Sequence, residues 1–176
     1  LDYTFMGNQH TRAADNPILV VSDNKSQSIG AWQVYRKGAI DWVGREVARW
    51  ISALGYGKIR ITLKSDGEAA IKALKDLIAE HRDAPTTPVE TPARESKSNG
   101  AMESRIKSWQ AQFRTMLMDV QQSLQTKIGL GNPLISWLVG WAATSLNKYK
   151  MDACGRTAFQ RITGGTHRRP LAKFAE

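Results

Sequence analysis

The hydrophobic period of this chain switches partway along, and the switch limits the folds open to it. Ile18-Leu19-Val20-Val21 is an unbroken apolar run, mainly β-branched, which suits a short buried strand. Leu1 to Met6 and Ile29 to Tyr35 read as strands on either side of it. Gly7 to Pro17 is polar and turn-rich, and Asp23 to Ser26 is a turn. Connections this short join antiparallel neighbours. The period then becomes helical. Ile40, Val43, Val47, Trp50, Ile51 and Leu54 share one face, with Asp41 as an N-cap and Gly55 as a stop.

Ile59 to Lys64 alternates apolar and polar residues as a strand does, and ends in Ser65-Asp66-Gly67. Ile71, Leu74 and Ile78 mark a second helix. Asp83 to Arg94 contains Pro85, Pro88 and Pro92, leaving room only for a short edge strand at Val89 to Thr91. Arg94 to Asn99 reads as a mobile polar loop. A long helix is expected from about Gly100 to Lys127, with Met102, Ile106, Trp109, Phe113, Leu117, Val120 and Leu124 as its core stripe. Gly129 to Asn132 breaks it, and a last large helix spans Pro133 to Tyr149. The tail carries a short helical piece and the basic cluster His167-Arg168-Arg169. Antiparallel strands followed by βαβ units predict an α/β fold. Its expected form is a five-stranded mixed sheet, three antiparallel strands and then parallel ones, flanked by helices.

Composition narrows the function classes. A chain of 176 residues has one domain's length and can bury a real core. Its net charge of +9 favours a polyanionic partner, nucleic acid first and an anionic membrane surface second. Cys154 is the sole cysteine, which excludes an internal disulfide and suits a reducing, intracellular compartment. His10, His81 and His167 are scattered, so no zinc-finger spacing exists. The longest apolar run, Pro133 to Ala143, falls short of the ~20 residues of a membrane span. The chain starts on a strand without Met, as expected of a piece cut from a longer protein.

Three carboxylates stand out: Asp2 on the first strand, Asp66 past the fourth, and Glu103 one turn into the long helix. In open α/β sheets, sites form at the carboxyl ends of strands. Hard divalent cations need oxygen ligands, and three carboxylates can hold two ions that activate a nucleophile and stabilise a leaving oxygen. The bland alternatives are a polar edge-strand Asp2, an Asp66 that caps the next helix, and a Glu103 in a capping arrangement begun at Gly100. Asp23 reads as structural, and Glu95 is a poorer third carboxylate because it lies in the loop.

Leu1-Asp2-Tyr3-Thr4-Phe5, Lys64-Ser65-Asp66-Gly67-Glu68 and Ser96-Lys97-Ser98-Asn99-Gly100-Ala101-Met102-Glu103-Ser104 together resemble the catalytic core of retroviral and LTR-retrotransposon integrases. These belong to the DDE transposase/integrase superfamily. Thr157 to Gly164 resembles the segment that follows the core in retrotransposon integrases. The resemblance implies a ribonuclease H-like fold, with a core over residues 1–153 and a basic extension over 154–176. It implies 3′-end processing and DNA strand transfer with two Mg²⁺ or Mn²⁺ ions. By motif position, Asp2, Asp66 and Glu103 would be the catalytic metal ligands. It also implies a homodimer or higher oligomer, and presence in the nucleus at integration. Gly67 departs from the family's usual Asn, Arg105-Ile106 replaces a stretch where a polar Asn is frequent, and the family's N-terminal zinc-binding domain has no counterpart here.

At 100° per residue, Glu103, Lys107, Gln110 and Arg114 share a helix stripe about 60° wide. A carboxylate followed by two cations suits a metal site beside a phosphate track, with Lys97, Ser98 and Asn99 as further DNA contacts. An ordinary solvated face with a Glu103–Lys107 pair is the alternative. Two rival functions remain at this level: a ribonuclease H-type nuclease, and a non-catalytic DNA-binding or assembly module derived from an integrase.

Overall fold

The computed structural model describes residues 1–6, 16–91 and 96–170, with the backbone alone for 96–99. Strands β1 (Asp2–Thr4), β2 (Ile18–Ser22) and β3 (Ile29–Gln33) form an antiparallel sheet in the order β1-β2-β3. Strands β4 (Ile61–Ser65) and β5 (Thr86–Glu90) form a parallel pair. The helices are α1 (Asp41–Ile51), α2 (Ala69–Glu80), α3 (Ser96–Ser123), α4 (Pro133–Tyr149) and α5 (Ala158–Thr163).

β2 explains the layering. Leu19 and Val21 point to a core shared with Val43 and Val47 of α1 and Ile71, Leu74 and Ile78 of α2. Ile18 and Val20 point the other way, to a core with Trp109 and Phe113 of α3 and Ile135, Leu138 and Val139 of α4. An unbroken apolar run is what a strand covered on both faces requires. Trp109 and Phe113 are fully buried with ring centroids 5.5 Å apart, and the Trp109 indole donates to the Val139 carbonyl at 3.2 Å. Each such side chain contributes about 2–3 kcal/mol by burial. On the opposite face Gly44 lets α1 approach α2, since a Cβ there would lie 2.8 Å from Leu77 Cγ.

The expected single five-stranded sheet is divided into two. β1 is only three residues long, and the described bond between the sheets runs from the Leu1 backbone nitrogen to the Lys64 carbonyl at 2.8 Å. This bond brings β1 beside β4, and no ladder joins the two strands. Several boundaries also move. β5 starts earlier than expected and contains Pro88, which an edge strand tolerates. Ile40 rather than Asp41 occupies the N-cap position of α1, without a side-chain cap, and the Asp41 side chain meets Arg45 and His81. A π-helical turn, Ser52–Tyr56, follows α1, and Gly55 adopts φ 92° as the predicted stop. α3 begins at Ser96 and ends at Ser123, so the segment read as a loop is partly helical and Leu124 is exposed.

Helix α4 starts where Asn132 accepts from the Leu134 N–H at 2.9 Å, with Pro133 at its first position. Its other end is tied to β3 by Asn147, which exchanges two 2.8 Å bonds with the Ile29 backbone. The motif at Thr157 to Gly164 is a small helix with a capping box between Thr157 and Gln160 and a left-handed Gly164 at its end. Among the described residues no helix is long and apolar enough to cross a membrane.

Candidate active site

A cleft of about 200 Å³ opens where β1 begins and β2 and β4 end, and Asp2 and Asp66 both line it. Asp2 is carried by β1, and the Tyr3 N–H holds its Oδ1 at 2.7 Å. Asp66 immediately follows β4, and its Oδ1 accepts from the Glu68 N–H at 3.3 Å. The N-cap of α2 is Glu68, so Asp66 is not that helix's cap. Burial pushes the Asp2 carboxyl above the ordinary carboxylate range; the Tyr3 N–H opposes this, and the Asp66 charge adds to it. Mutual repulsion between two acids in one polar cleft is what a cation relieves. The donor set therefore fits a hard divalent ion, for which two carboxylates plus water and phosphate oxygens suffice.

Glu103 stands differently. α3 starts four residues before Gly100, so Glu103 lies about two turns inside the helix and outside any capping box. It is exposed and does not line the cleft, whereas its neighbours Ala101, Met102 and Arg105 do. Among the described residues no cluster of three potential metal ligands forms, and no ion pair joins Glu103 to Lys107. The helix stripe bearing Glu103 is nevertheless tied to β1 two turns further on. Gln110, on the same stripe, donates to Thr4 Oγ1 at 2.7 Å. Lys107 and Arg114 are exposed along that stripe. Glu95 and the side chains of Lys97, Ser98 and Asn99 lie outside the described residues.

Two groups in the cleft wall were not assigned to the site from the sequence. Arg105 reaches from α3 to the end of β2, where Nη1 donates to Ser22 Oγ and, at 3.0 Å, to the Asp23 carbonyl. Its Nη2 donates to Gln27 at 2.7 Å. Asp23, read as structural, is held in its turn: its Oδ2 accepts from Ser26 N (2.7 Å), Ser26 Oγ (2.6 Å) and Tyr56 Oη (3.1 Å). Burial raises its carboxyl, but the donors from Ser26, Lys25 and Tyr56 outweigh that and hold it below the ordinary range. An Asp followed three residues later by Ser is a legible turn signal. Arg105 had only its departure from the family pattern to mark it.

No protein-family model matches this sequence, and no curated protein matches it in sequence. Solved structures do match in fold. The catalytic core domain of BIV integrase superposes with a TM-score of 0.57 at 16% identity, over 93% of this chain and 91% of that one. A chain of the simian T-cell lymphotropic virus intasome, in complex with PP2A regulatory subunit B56 gamma, superposes at 0.62 and 16% identity, over 99% of this chain. This chain spans 57% of that neighbour's length. The fold is that of retroviral integrase catalytic cores, an α/β architecture.

Proposed function

We propose that this chain is the catalytic core of a metal-dependent polynucleotidyl transferase acting on DNA, an integrase that processes 3′ ends and joins them to target DNA. The observation that carries this reading is the pairing of Asp2 and Asp66 in one cleft on an integrase-like fold. Asp2 and Asp66 would hold Mg²⁺ or Mn²⁺, and Glu103 would complete a DDE set for two ions. The ions supply charge neutralisation of the reacting phosphodiester and activation of the attacking oxygen. The chain's own part is to hold two acids together, to tie α3 to β1, and to offer Lys107 and Arg114 to phosphates. The proposed partners are element-end and target DNA, met in the nucleus, and a second copy of the chain. Trp42 and Trp137, exposed on α1 and α4, support the last.

A second reading, a non-catalytic DNA-binding or assembly module, is favoured by Glu103 standing outside the cleft wall. A strand-transfer assay with Mn²⁺ separates the two. Joined products from the parent, lost in both Asp66→Asn and Glu103→Gln, support the enzyme. DNA binding without joined products supports the module.

A further inference from the structure

A second cavity of about 110 Å³ lies between the end of α4, the middle of α3 and the chain leading to α5. Arg105 lines both cavities, so the two adjoin. Ile29, Leu146 and Ala158 are among the apolar residues of its wall, and Lys150 and Arg156 add positive charge. Lys150 Nζ is held by Ser108 Oγ at 2.8 Å, and Arg156 is exposed. The one carboxylate in the wall, Asp152, is already engaged by the Arg161 guanidinium and by the backbone N–H groups of Cys154 and Arg156.

The tail extends the same charge. His167 packs edge-on against Tyr149 and Phe159, with centroids 5.3 and 5.2 Å away. Tyr149 Oη donates to the Arg169 carbonyl at 3.0 Å. These contacts fold the segment carrying Arg168 and Arg169 back onto Tyr149 at the end of α4, the residue before Lys150.

The geometry points to a phosphate-binding groove in which Lys150 and Arg156, continued by Arg168 and Arg169, take the backbone of a DNA strand running past the carboxylate cleft. This rests on the DNA reading above and adds a path to it. Lysine and arginine heads around a cavity read phosphates without reading sequence. Arg105, common to both cavities, and the chain's net charge of +9 favour nucleic acid over an acidic protein segment.

The test is DNA binding by the full chain in EDTA, across a salt series, with two duplexes of unrelated sequence. The Lys150→Gln/Arg156→Gln double variant should weaken both duplexes alike. It should reduce the slope of log affinity against log salt by about two units, near 0.9 per lost contact. The charge-preserving Lys150→Arg/Arg156→Lys variant should keep the parent's slope. A parental slope in the Gln variant overturns the groove, as does an equal loss in the charge-preserving one. Loss of polyglutamate binding with DNA binding intact overturns it in favour of an acidic protein partner. Because EDTA removes divalent ions, the outcome is independent of the metal reading. A groove that responds as expected stands even if Mn²⁺ never binds Asp2 and Asp66, and Mn²⁺ binding does not rescue a groove that fails.

Discussion

The Gln110 amide on α3 donates to the Thr4 hydroxyl on β1 at 2.7 Å, which ties the helix bearing Glu103 to the strand bearing Asp2. Gln110 touches neither acid, so its effect is on position. Gln110→Ala should cost about 1 kcal/mol of stability, the net worth of one hydrogen bond. It should lower strand transfer by about tenfold or more, because small misplacements of reacting groups are expensive. Thermal melts and joining assays on the same preparation separate the two effects. Equal activity in parent and variant would show that this helix need not be tied.

Acid stability should depend on Asp23. Its folded-state pKa is depressed below the ordinary value of 3.8, so it stabilises the fold above that pH. The contribution fades as pH falls through the depressed folded value. Asp23→Asn should lower stability at neutral pH by about 1–2 kcal/mol, through loss of charge-assisted bonds. It should also flatten the drop in stability below the ordinary carboxylate pKa. Urea unfolding from pH 7 to pH 2 checks both, and an unchanged acid limb would assign that drop to other carboxylates.

Lys107 and Arg114 lie exposed on the Gln110 edge. Each single substitution to Ala should reduce the salt slope of DNA binding by about one unit, without regard to sequence. Lys107, one turn from Glu103, should also reduce strand transfer, whereas Arg114 should mainly reduce affinity. If both variants keep the parent's slope, the edge is an ordinary solvated face.

The layers of this fold were legible because apolar periodicity is a local signal. The run Ile18 to Val21 announces a strand covered on both sides, and Trp109 with Phe113 announces the face α3 buries. Sheet continuity was not legible, since it depends on how far β1 and β4 travel side by side, a long-range property. The start of α3 is not legible because Ser96 to Gly100 has no hydrophobic period, and helix can extend through such a stretch when the turns beyond it are packed. At the site, Asp66 stands out just past the end of a strand, and Asp2 by its place in a motif of the resembled family. Arg105 does not stand out, because its partners Ser22, Asp23 and Gln27 are far away in sequence and carry no motif.

The pairing of Asp2 with Asp66 as a cation site is most directly tested by calorimetric titration of the intact chain with Mn²⁺, beside the Asp66→Asn variant. Asn can still accept the Glu68 N–H bond, so the variant should melt with the parent. The account predicts saturable Mn²⁺ binding by the parent, weakened at least tenfold or abolished in the variant, with thermal stability unchanged. A parent that binds no Mn²⁺, or a variant with the parent's isotherm, would contradict it.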